Sequence, residues 1–140
     1  MTSEFAIAVH ALVYLNHKEI TLASDTLAEN VCTNPARIRK VMAKLKKSNL
    51  VKTKEGINGG YHMLGDAKDI SLGQICRALE IEPVSVSWNS GDAEMNCQIA
   101  SGMAGIMEEI YQDLNEICKK RLDKITIQDI DNAIFKSDKT

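Results

Sequence analysis

The stretch NPARIRKVMAKLKKSNLVKTKEGINGGYHM, residues 34–63, decides the fold because its hydrophobic period changes midway. Asn34 is a favourable helix N-cap, and Pro35 suits the first helical position. Four apolar residues then recur at helical spacing and predict one buried stripe, namely Ile38, Val41, Met42 and Leu45. The side opposite this stripe carries cations and small alanines. The first half of the stretch therefore predicts a helix with one packed face and one basic face.

The second half of the stretch has the alternating pattern of a strand. In LVKTK, residues 50–54, apolar and basic side chains alternate. Residues 55–59, EGING, have the composition of a turn, and residues 60–64, GYHML, can return as the partner strand. The sequence therefore predicts a β-hairpin directly after the basic helix, which is the order of elements in a winged helix.

The preceding residues complete a helix-turn-helix pattern. Residues 4–16 are apolar at nearly every helical phase, which predicts a largely buried first helix. Ile20 and Leu22 alternate with polar residues as in a short strand or an entry segment, and Ser24 is predicted to cap a short second helix. Only the residues VCTN, 31–34, join this helix to the basic one. So short a join predicts a helix-turn-helix with the basic helix as its recognition helix.

The net charge of −2 hides an uneven distribution. Between residues 37 and 54 the chain carries eight cations and no acidic residue, and these are Arg37, Arg39, Lys40, Lys44, Lys46, Lys47, Lys52 and Lys54. Such a basic block indicates a nucleic-acid partner, although a solvated helix face is the competing interpretation. Aromatic residues make up only 4% of the chain, which argues against stacking platforms for single strands.

The C-terminal half predicts a loop and a long helix. Residues 69–80, DISLGQICRALE, predict a helix capped by Ser71, whereas residues 81–96 have no stable period. A long helix follows from Cys97 to Leu122. Its apolar residues lie three or four apart, close to a heptad seam, and they are Ile99, Met103, Ile106, Ile110, Leu114 and Ile117. This seam predicts pairing with a second copy of the chain.

Together these patterns predict a mainly α fold with a small β-hairpin wing, an α+β winged helix-turn-helix followed by a long dimerisation helix. The predicted boundaries are 1–80 for the DNA-binding domain, 81–96 for an effector or sensor loop, and 97–140 for the dimerisation helix and the C-terminal tail. No apolar run approaches the length of a membrane span, and the N-terminus does not resemble a signal peptide. We therefore expect no membrane partner and a cytoplasmic location.

Several motifs occur in the order of one known family. They are LKKSNLVKT at residues 45–53, GGYHM at 59–63, DISLGQICRALE at 69–80 and ITIQDI at 125–130. With these motifs, the chain resembles the Rrf-two (Rrf2) family of bacterial winged-helix transcription regulators, of the type that lacks a three-cysteine cluster motif. The resemblance covers nearly the whole chain. It implies a homodimer that binds a palindromic operator in double-stranded DNA, with repression as the family's default.

The resemblance also implies which residues contact DNA. The helix 34–48 would enter the major groove, and the hairpin 52–63 would be the wing. The expected DNA-binding residues are Thr33, Asn34, Ala36, Arg37, Arg39, Lys40, Lys44, Lys47, Lys52, Lys54, Asn58, Gly59 and Tyr61. Lysines would neutralise phosphates, and the N-terminus of the helix would meet base edges. Glu55 departs from the family pattern, because relatives often carry a basic residue there and a carboxylate repels phosphate.

The four cysteines lie far apart and form no C-x-x-C pair, which predicts free thiols in a reducing cytosol. Cluster-binding relatives carry three cysteines before the long helix, whereas this chain offers only Cys97 there. We therefore expect no metal ion and no cofactor, an iron–sulfur cluster included. Cys97 is the first candidate sensor thiol because a helix N-terminus favours a thiolate, with Cys118 and Cys32 as further candidates. An inert remnant of a cluster-binding ancestor is the competing interpretation.

Other functions stay open at this point. The effector is either an oxidant or a small molecule. A winged-helix protein-interaction module that regulates a metabolic enzyme is an alternative to a DNA-binding regulator, and a cluster-binding regulator with atypical ligands is another. A phosphate-loop enzyme is disfavoured, because the glycines at 56, 59 and 60 precede a strand pattern and no nucleophile–base pair is visible. The chain is thus not expected to be an enzyme.

Overall fold

The computed structural model describes residues 1–136. In chain order its elements are α1 (Ser3–Lys18), α2 (Ser24–Val31), α3 (Pro35–Lys47), β1 (Val51–Lys54), β2 (Gly60–Met63), a 3-10 turn (Ala67–Asp69), α4 (Leu72–Ala78), α5 (Gln98–Leu122) and α6 (Ile127–Ile134). The described part of the chain is thus mainly helical with one antiparallel hairpin. This confirms the predicted fold class.

The core forms around α1, which packs against α2, α3, α4, α6 and β2. The predicted apolar stripe of α3 is confirmed, because Ile38, Val41, Met42 and Leu45 are all fully or almost fully buried. Leu12 of α1 and Leu27 of α2 are buried with them. Burial of such a side chain stabilises a fold by roughly 1.5–3 kcal/mol. The core therefore fixes the orientation of α3, and with it the direction of the basic face.

The turn between α2 and α3 has a specific backbone geometry. α2 ends at Cys32, whose left-handed φ of 64° turns the chain. Asn34 then caps α3, since its side-chain oxygen accepts a hydrogen bond from the Arg37 N–H over 2.9 Å. The prediction that Ser24 caps α2 is wrong. Ala23 occupies the N-cap position without a side-chain hydrogen bond, and Ser24 is the first residue of the helix.

The wing is a two-stranded hairpin to which one residue of the segment before α2 is bridged. β1 and β2 pair from Val51–Met63 to Lys54–Gly60. Leu22, which precedes α2, forms an antiparallel bridge with Tyr61 through backbone hydrogen bonds of 2.9 and 2.8 Å. Leu22 is thus a single-residue bridge within an entry segment and not a strand, and the bridge ties the wing to the entry of the helix-turn-helix.

The C-terminal elements return to the first helix. Ser71 caps α4 as the sequence predicts, and it does so in a capping box with Gln74. Thr126 caps α6 in a second capping box, which was not predicted. α6 packs against α1, where the Asn16 amide donates a hydrogen bond of 2.8 Å to the buried carboxylate of Asp131. His17 lies 3.5 Å from the same carboxylate. The polar tail predicted after α6 falls partly on residues 137–140, outside the described residues.

α5 is the least buried long element. None of its residues is buried, and its main packing partner is α4. The irregular segment 81–96 is attached to it by Glu82, which forms an ion pair of 2.9 Å with Lys119, and by Val84, whose N–H donates to the Asn115 side chain over 3.0 Å. Within residues 1–136, no helix is both long enough and apolar enough to cross a bilayer.

Candidate nucleic-acid interface

The outward face of α3 combines positive charge with small side chains. At about 100° per residue, four residues lie opposite the buried stripe, and they are Ala36, Lys40, Ala43 and Lys47. All four are exposed. Small alanines between lysines allow the helix to approach another surface closely. This face therefore has a shape and a charge that suit the major groove of DNA.

One flank of α3 faces the wing. The Lys46 ammonium donates a hydrogen bond of 3.1 Å to the Thr53 hydroxyl on β1. Arg39 lies on the same flank and is exposed, and within residues 1–136 no carboxylate forms an ion pair with it. Lys46 thus joins the helix to the hairpin, whereas Arg39 is available to an external anion.

The other flank of α3 faces the first turn of α1. Glu4 Oε1 lies 3.4 Å from Lys40 Nζ, and Glu4 Oε2 lies 3.0 Å from Lys44 Nζ. The Arg37 guanidinium donates a hydrogen bond to the Ser3 hydroxyl. The hydrogen bond from Lys44, supported by that from Lys40, holds the pKa of Glu4 below its ordinary value. The Glu4 carboxylate is therefore ionised at neutral pH.

The N-terminus of α3 lies at the edge of the outward face. Asn34 is exposed, and its side-chain oxygen is engaged as the cap, which leaves the amide nitrogen for a partner. Thr33 is half-buried beside it. The first turn of α3 contains no acidic residue, so the positive end of the helix dipole is not neutralised there.

The wing presents some of its predicted DNA-binding residues to solvent and uses others within the fold. Lys52, Lys54 and Asn58 are exposed. Gly59 permits the tight turn, because a Cβ at this position would lie 2.4 Å from the Lys54 carbonyl oxygen. Tyr61 pairs with Leu22 through its backbone and packs partly against the core. The wing cations and Asn58 are therefore the more accessible part of this set.

The wing tip carries residues that do not simply attract phosphate. Glu55 is exposed, and no cation of residues 1–136 forms an ion pair with it. Ile57 is fully exposed. A carboxylate and an apolar side chain thus lie at the tip that follows the cationic strand β1.

Cys97 is the N-cap of α5, as its candidate role as a sensor thiol requires, and it is exposed. The backbone N–H groups of Ala100 and then Ile99, in the open first turn of α5, hold the pKa of the Cys97 thiol below its ordinary value. Neither N–H makes a hydrogen bond of standard geometry to the sulfur. The electrostatic environment therefore favours a thiolate at this position.

The other three cysteines have different environments. Cys32 is exposed at the end of α2, and Cys118 is half-buried on α5. Cys76 is buried on α4, and burial raises the pKa of its thiol. Cys32 and Cys118 are thus accessible thiols, whereas Cys76 is packed as a small apolar residue.

The cysteines do not converge on a metal site. Within residues 1–136, no group of three His, Cys, Asp or Glu side chains is arranged to hold a metal ion. Cys97 and Cys118 lie on one helix at a separation of about 30 Å. An iron–sulfur cluster needs several thiolates or equivalent ligands around one centre. The described residues of one chain bring no such set of ligands together.

The predicted seam of α5 is exposed along its whole length. The exposed fractions range from 37% at Met103 to 72% at Ile99, and the other members are Ile106, Ile110, Leu114 and Ile117. Six large apolar side chains on one face of one helix exceed the scattered apolar exposure of an ordinary monomer surface. The seam is thus an apolar surface that residues 1–136 of this chain do not cover.

Two parts of the interface are not predicted from the sequence. One is the contact of Ser3 and Glu4 with α3, and the other is the full exposure of Ile57. An acidic residue in the first turn of a helix is common, and nothing in the sequence connects it with lysines about 40 positions later. Ile57 stands between Gly56 and Asn58, and this turn composition was the available sequence signal for its exposure.

Comparison with known proteins supports the regulatory interpretation. The family described as Rrf2, iron-dependent transcriptional regulator, matches residues 1–133. YwnA of Bacillus subtilis is 24% identical over 135 residues, which cover 96% of this chain and 99% of that protein. The HTH-type transcriptional regulator IscR of Vibrio atlanticus is 26% identical over 139 residues, which cover 96% of this chain and 78% of that protein. A solved structure of a Lactobacillus plantarum protein has a TM-score of 0.81 at 24% identity, over 96% of this chain and 91% of that one.

The family match spans all the helices and strands described above except the last residue of α6. The family and these relatives are transcriptional regulators and not enzymes, which confirms the expectation from the sequence. The family's description mentions iron, but residues 1–136 of this chain contain no group of side chains arranged to bind a metal ion. The chain belongs to the Rrf2 family and is a DNA-binding transcriptional regulator with a helix-turn-helix.

Proposed function

We propose that this regulator is a cytoplasmic homodimer that binds a palindromic operator and represses transcription. The observation that carries the proposal is the outward face of α3, where Lys40 and Lys47 alternate with Ala36 and Ala43. Cationic side chains flank this face on both sides, and the wing adds more. A dimer bound across a promoter would exclude the polymerase, which is a direct route to repression.

We assign base recognition to the N-terminal part of α3 and phosphate contacts to the remaining cations. Thr33, Asn34, Ala36 and Arg37 lie where base edges would pass the helix N-terminus, and an arginine there can form two hydrogen bonds with guanine. The proposed phosphate contacts are Arg39, Lys40, Lys44, Lys47, Lys52 and Lys54, with Asn58, Gly59 and Tyr61 close to the backbone in the wing. Phosphate contacts set the position of the helix, and base contacts supply the specificity.

The proposed dimer forms along α5. Two copies of the six-residue seam would cover each other, and the heptad-like spacing suits two helices that pack side by side. In this proposal, residues 1–80 form the DNA-binding domain, 81–96 the sensor loop, and 97–140 the dimerisation helix with its tail. The dimer axis would then relate two recognition helices, which is the symmetry of a palindrome.

The proposed signal is a change at the Cys97 thiol. Cys97 begins the dimerisation helix, so a modified sulfur would alter the end of the helix that sets the spacing of the two domains. The lowered pKa of this thiol supports reaction with oxidants. A Cys97→Ser protein whose DNA binding still responds to peroxide would exclude Cys97 and leave Cys118 or Cys32 as the sensor.

The direct test is fluorescence anisotropy with a duplex from the promoter of the protein's own gene. A shuffled duplex of the same composition is the control. We expect tighter binding to the promoter duplex, and a binding constant that falls with salt by a slope of about 0.9 per phosphate contact. Equal binding to both duplexes, or no binding to either, would contradict the proposal.

A charge variant assigns the interface within that assay. Lys47→Ala is expected to weaken binding and to reduce the salt slope by about one unit, because one phosphate contact is lost. Lys120→Ala, an exposed lysine on α5, makes the same change in net charge away from α3 and is expected to have little effect. Similar losses in both variants would place the DNA elsewhere on the molecule.

A further inference from the structure

The first turn of α1 is attached to the cations of α3. Glu4 contacts Lys40 at 3.4 Å and Lys44 at 3.0 Å, one lysine on each carboxylate oxygen. Ser3 accepts a hydrogen bond from Arg37 on the same flank. Three of the cations assigned above to DNA are therefore engaged by the first turn of α1.

The two partners differ in their access to solvent. The Glu4 side chain is 23% exposed, whereas those of Lys40 and Lys44 are 69% and 38% exposed. Each ammonium carries three donors, and one carboxylate oxygen uses only part of that capacity. An anion that approaches the outward face of α3 thus reaches the lysines from the open side and meets the Glu4 charge behind them.

A second observation concerns the charge of this surface. No acidic residue lies between residues 37 and 54, so α3 and β1 contain no internal partner for their lysines. Glu4 comes from a different helix and satisfies two of these lysines at once. Its carboxylate supplies these two ammonium groups with the negative charge that a DNA phosphate would otherwise supply.

We infer that Glu4 competes with DNA phosphates for Lys40 and Lys44 and thereby sets the absolute affinity of the protein for DNA. This inference rests on the proposed function. When DNA binds, phosphates replace the carboxylate, and the lost ion pairs and the repulsion by Glu4 reduce the net gain. Both promoter and non-specific DNA carry the same phosphates, so Glu4 lowers the affinity for both and leaves their ratio nearly unchanged.

The test is Glu4→Gln, which keeps the shape of the side chain and removes its charge. We expect binding to the promoter and shuffled duplexes to tighten by about tenfold at 0.1 M salt, and the salt slope to steepen by about one to two units. Glu108→Gln on α5 makes the same change in net charge and is the matched control. We expect its affinity to stay within about twofold of wild type.

Two further variants separate competition from a general charge effect. In the Lys40→Ala, Lys44→Ala background, Glu4→Gln is expected to change affinity by less than about twofold, because the contested lysines are absent. An undiminished effect in that background would overturn the inference. Thermal unfolding by circular dichroism checks that each variant is folded at the assay temperature.

The remaining outcomes also decide the question. If Glu4→Gln binds DNA more weakly than wild type, Glu4 orients the lysines for DNA, and competition is refuted. If its affinity equals that of wild type, the pair is irrelevant to DNA binding. In both cases specific binding by wild type would leave the proposed function intact. A wild-type protein without specific DNA binding would instead refute the proposed function itself.

Discussion

At the scale of the residue, side chains of the same type have different environments. Lys46 donates a hydrogen bond to Thr53, and Lys44 forms an ion pair with Glu4. Lys47 is exposed and forms no ion pair within residues 1–136. A run of basic residues in the sequence treats these lysines as equivalent. The structure predicts instead that their contributions to DNA binding differ, because an engaged lysine must first lose its partner.

Cys97 makes a prediction at the same scale. The N–H groups of Ala100 and Ile99 lower the pKa of its thiol, so the thiolate persists to lower pH in the folded protein than in the unfolded chain. Alkylation by iodoacetamide, followed by mass spectrometry of the Cys97 peptide, should therefore reach half its maximal rate at lower pH in native protein than in urea. Coinciding pH profiles would show that the helix terminus does not activate this cysteine.

At the scale of the element, the hairpin depends on one close backbone contact. Gly60 has a φ of 148°, and a Cβ at this position would lie 2.2 Å from the Leu22 carbonyl oxygen. That oxygen accepts the hydrogen bond from the Tyr61 N–H. The glycine thus allows the segment before α2 to pair with β2, and the pairing holds the wing beside the recognition helix.

Gly60→Ala tests this contact. We expect a loss of about 1–3 kcal/mol in the free energy of unfolding, because the new methyl group displaces the Leu22 backbone. Urea unfolding followed by circular dichroism measures it. Gly105→Ala on α5 is the control, since nothing lies within 4 Å of its added Cβ and a helical alanine is favoured by about 1 kcal/mol. A Gly60→Ala protein as stable as wild type would refute the role of this contact.

At the scale of the whole molecule, residues 1–136 contain a buried apolar core and an apolar seam that none of these residues covers. The core includes Leu12, Ile38 and Ile75, which are fully buried. The seam on α5 is exposed from Ile99 to Ile117. An apolar stripe of this length is costly to leave in water, which favours the proposed dimer. Since a palindromic operator requires a symmetric dimer, both proposals depend on α5.

Ile106→Asp tests the seam. A carboxylate in the middle of the paired helices would be buried without a partner, so we expect a monomer in sedimentation velocity experiments. Affinity for the promoter duplex should fall by at least about tenfold, because each half-site would be bound separately. Ile20→Asp changes an equally exposed isoleucine away from α5 and should leave the oligomeric state unchanged. A dimeric Ile106→Asp protein would contradict the proposal that the dimer forms through the seam of α5.

Sequence patterns over a few neighbouring residues predicted those features of the fold that depend only on neighbouring residues. The stripe of α3, the hairpin and the exposed seam follow from hydrophobic period and turn composition. Contacts between distant segments did not follow. Aspartate is usually a surface residue, yet Asp131 is buried, where it accepts a hydrogen bond from Asn16 and lies beside His17. Glu4 and its lysines are a second such case, because pairing across the fold depends on how the helices cross.

The most direct test of the central claim is a hydroxyl-radical footprint of the wild-type protein on the DNA upstream of its own gene. A dimer with one recognition helix per half-site should protect two symmetry-related segments about one helical turn, or a whole number of turns, apart. Lys47→Ala should weaken both segments together. Uniform protection along the fragment would contradict a homodimer that recognises a palindrome through α3. So would the absence of protection at protein concentrations that saturate binding in the fluorescence anisotropy assay.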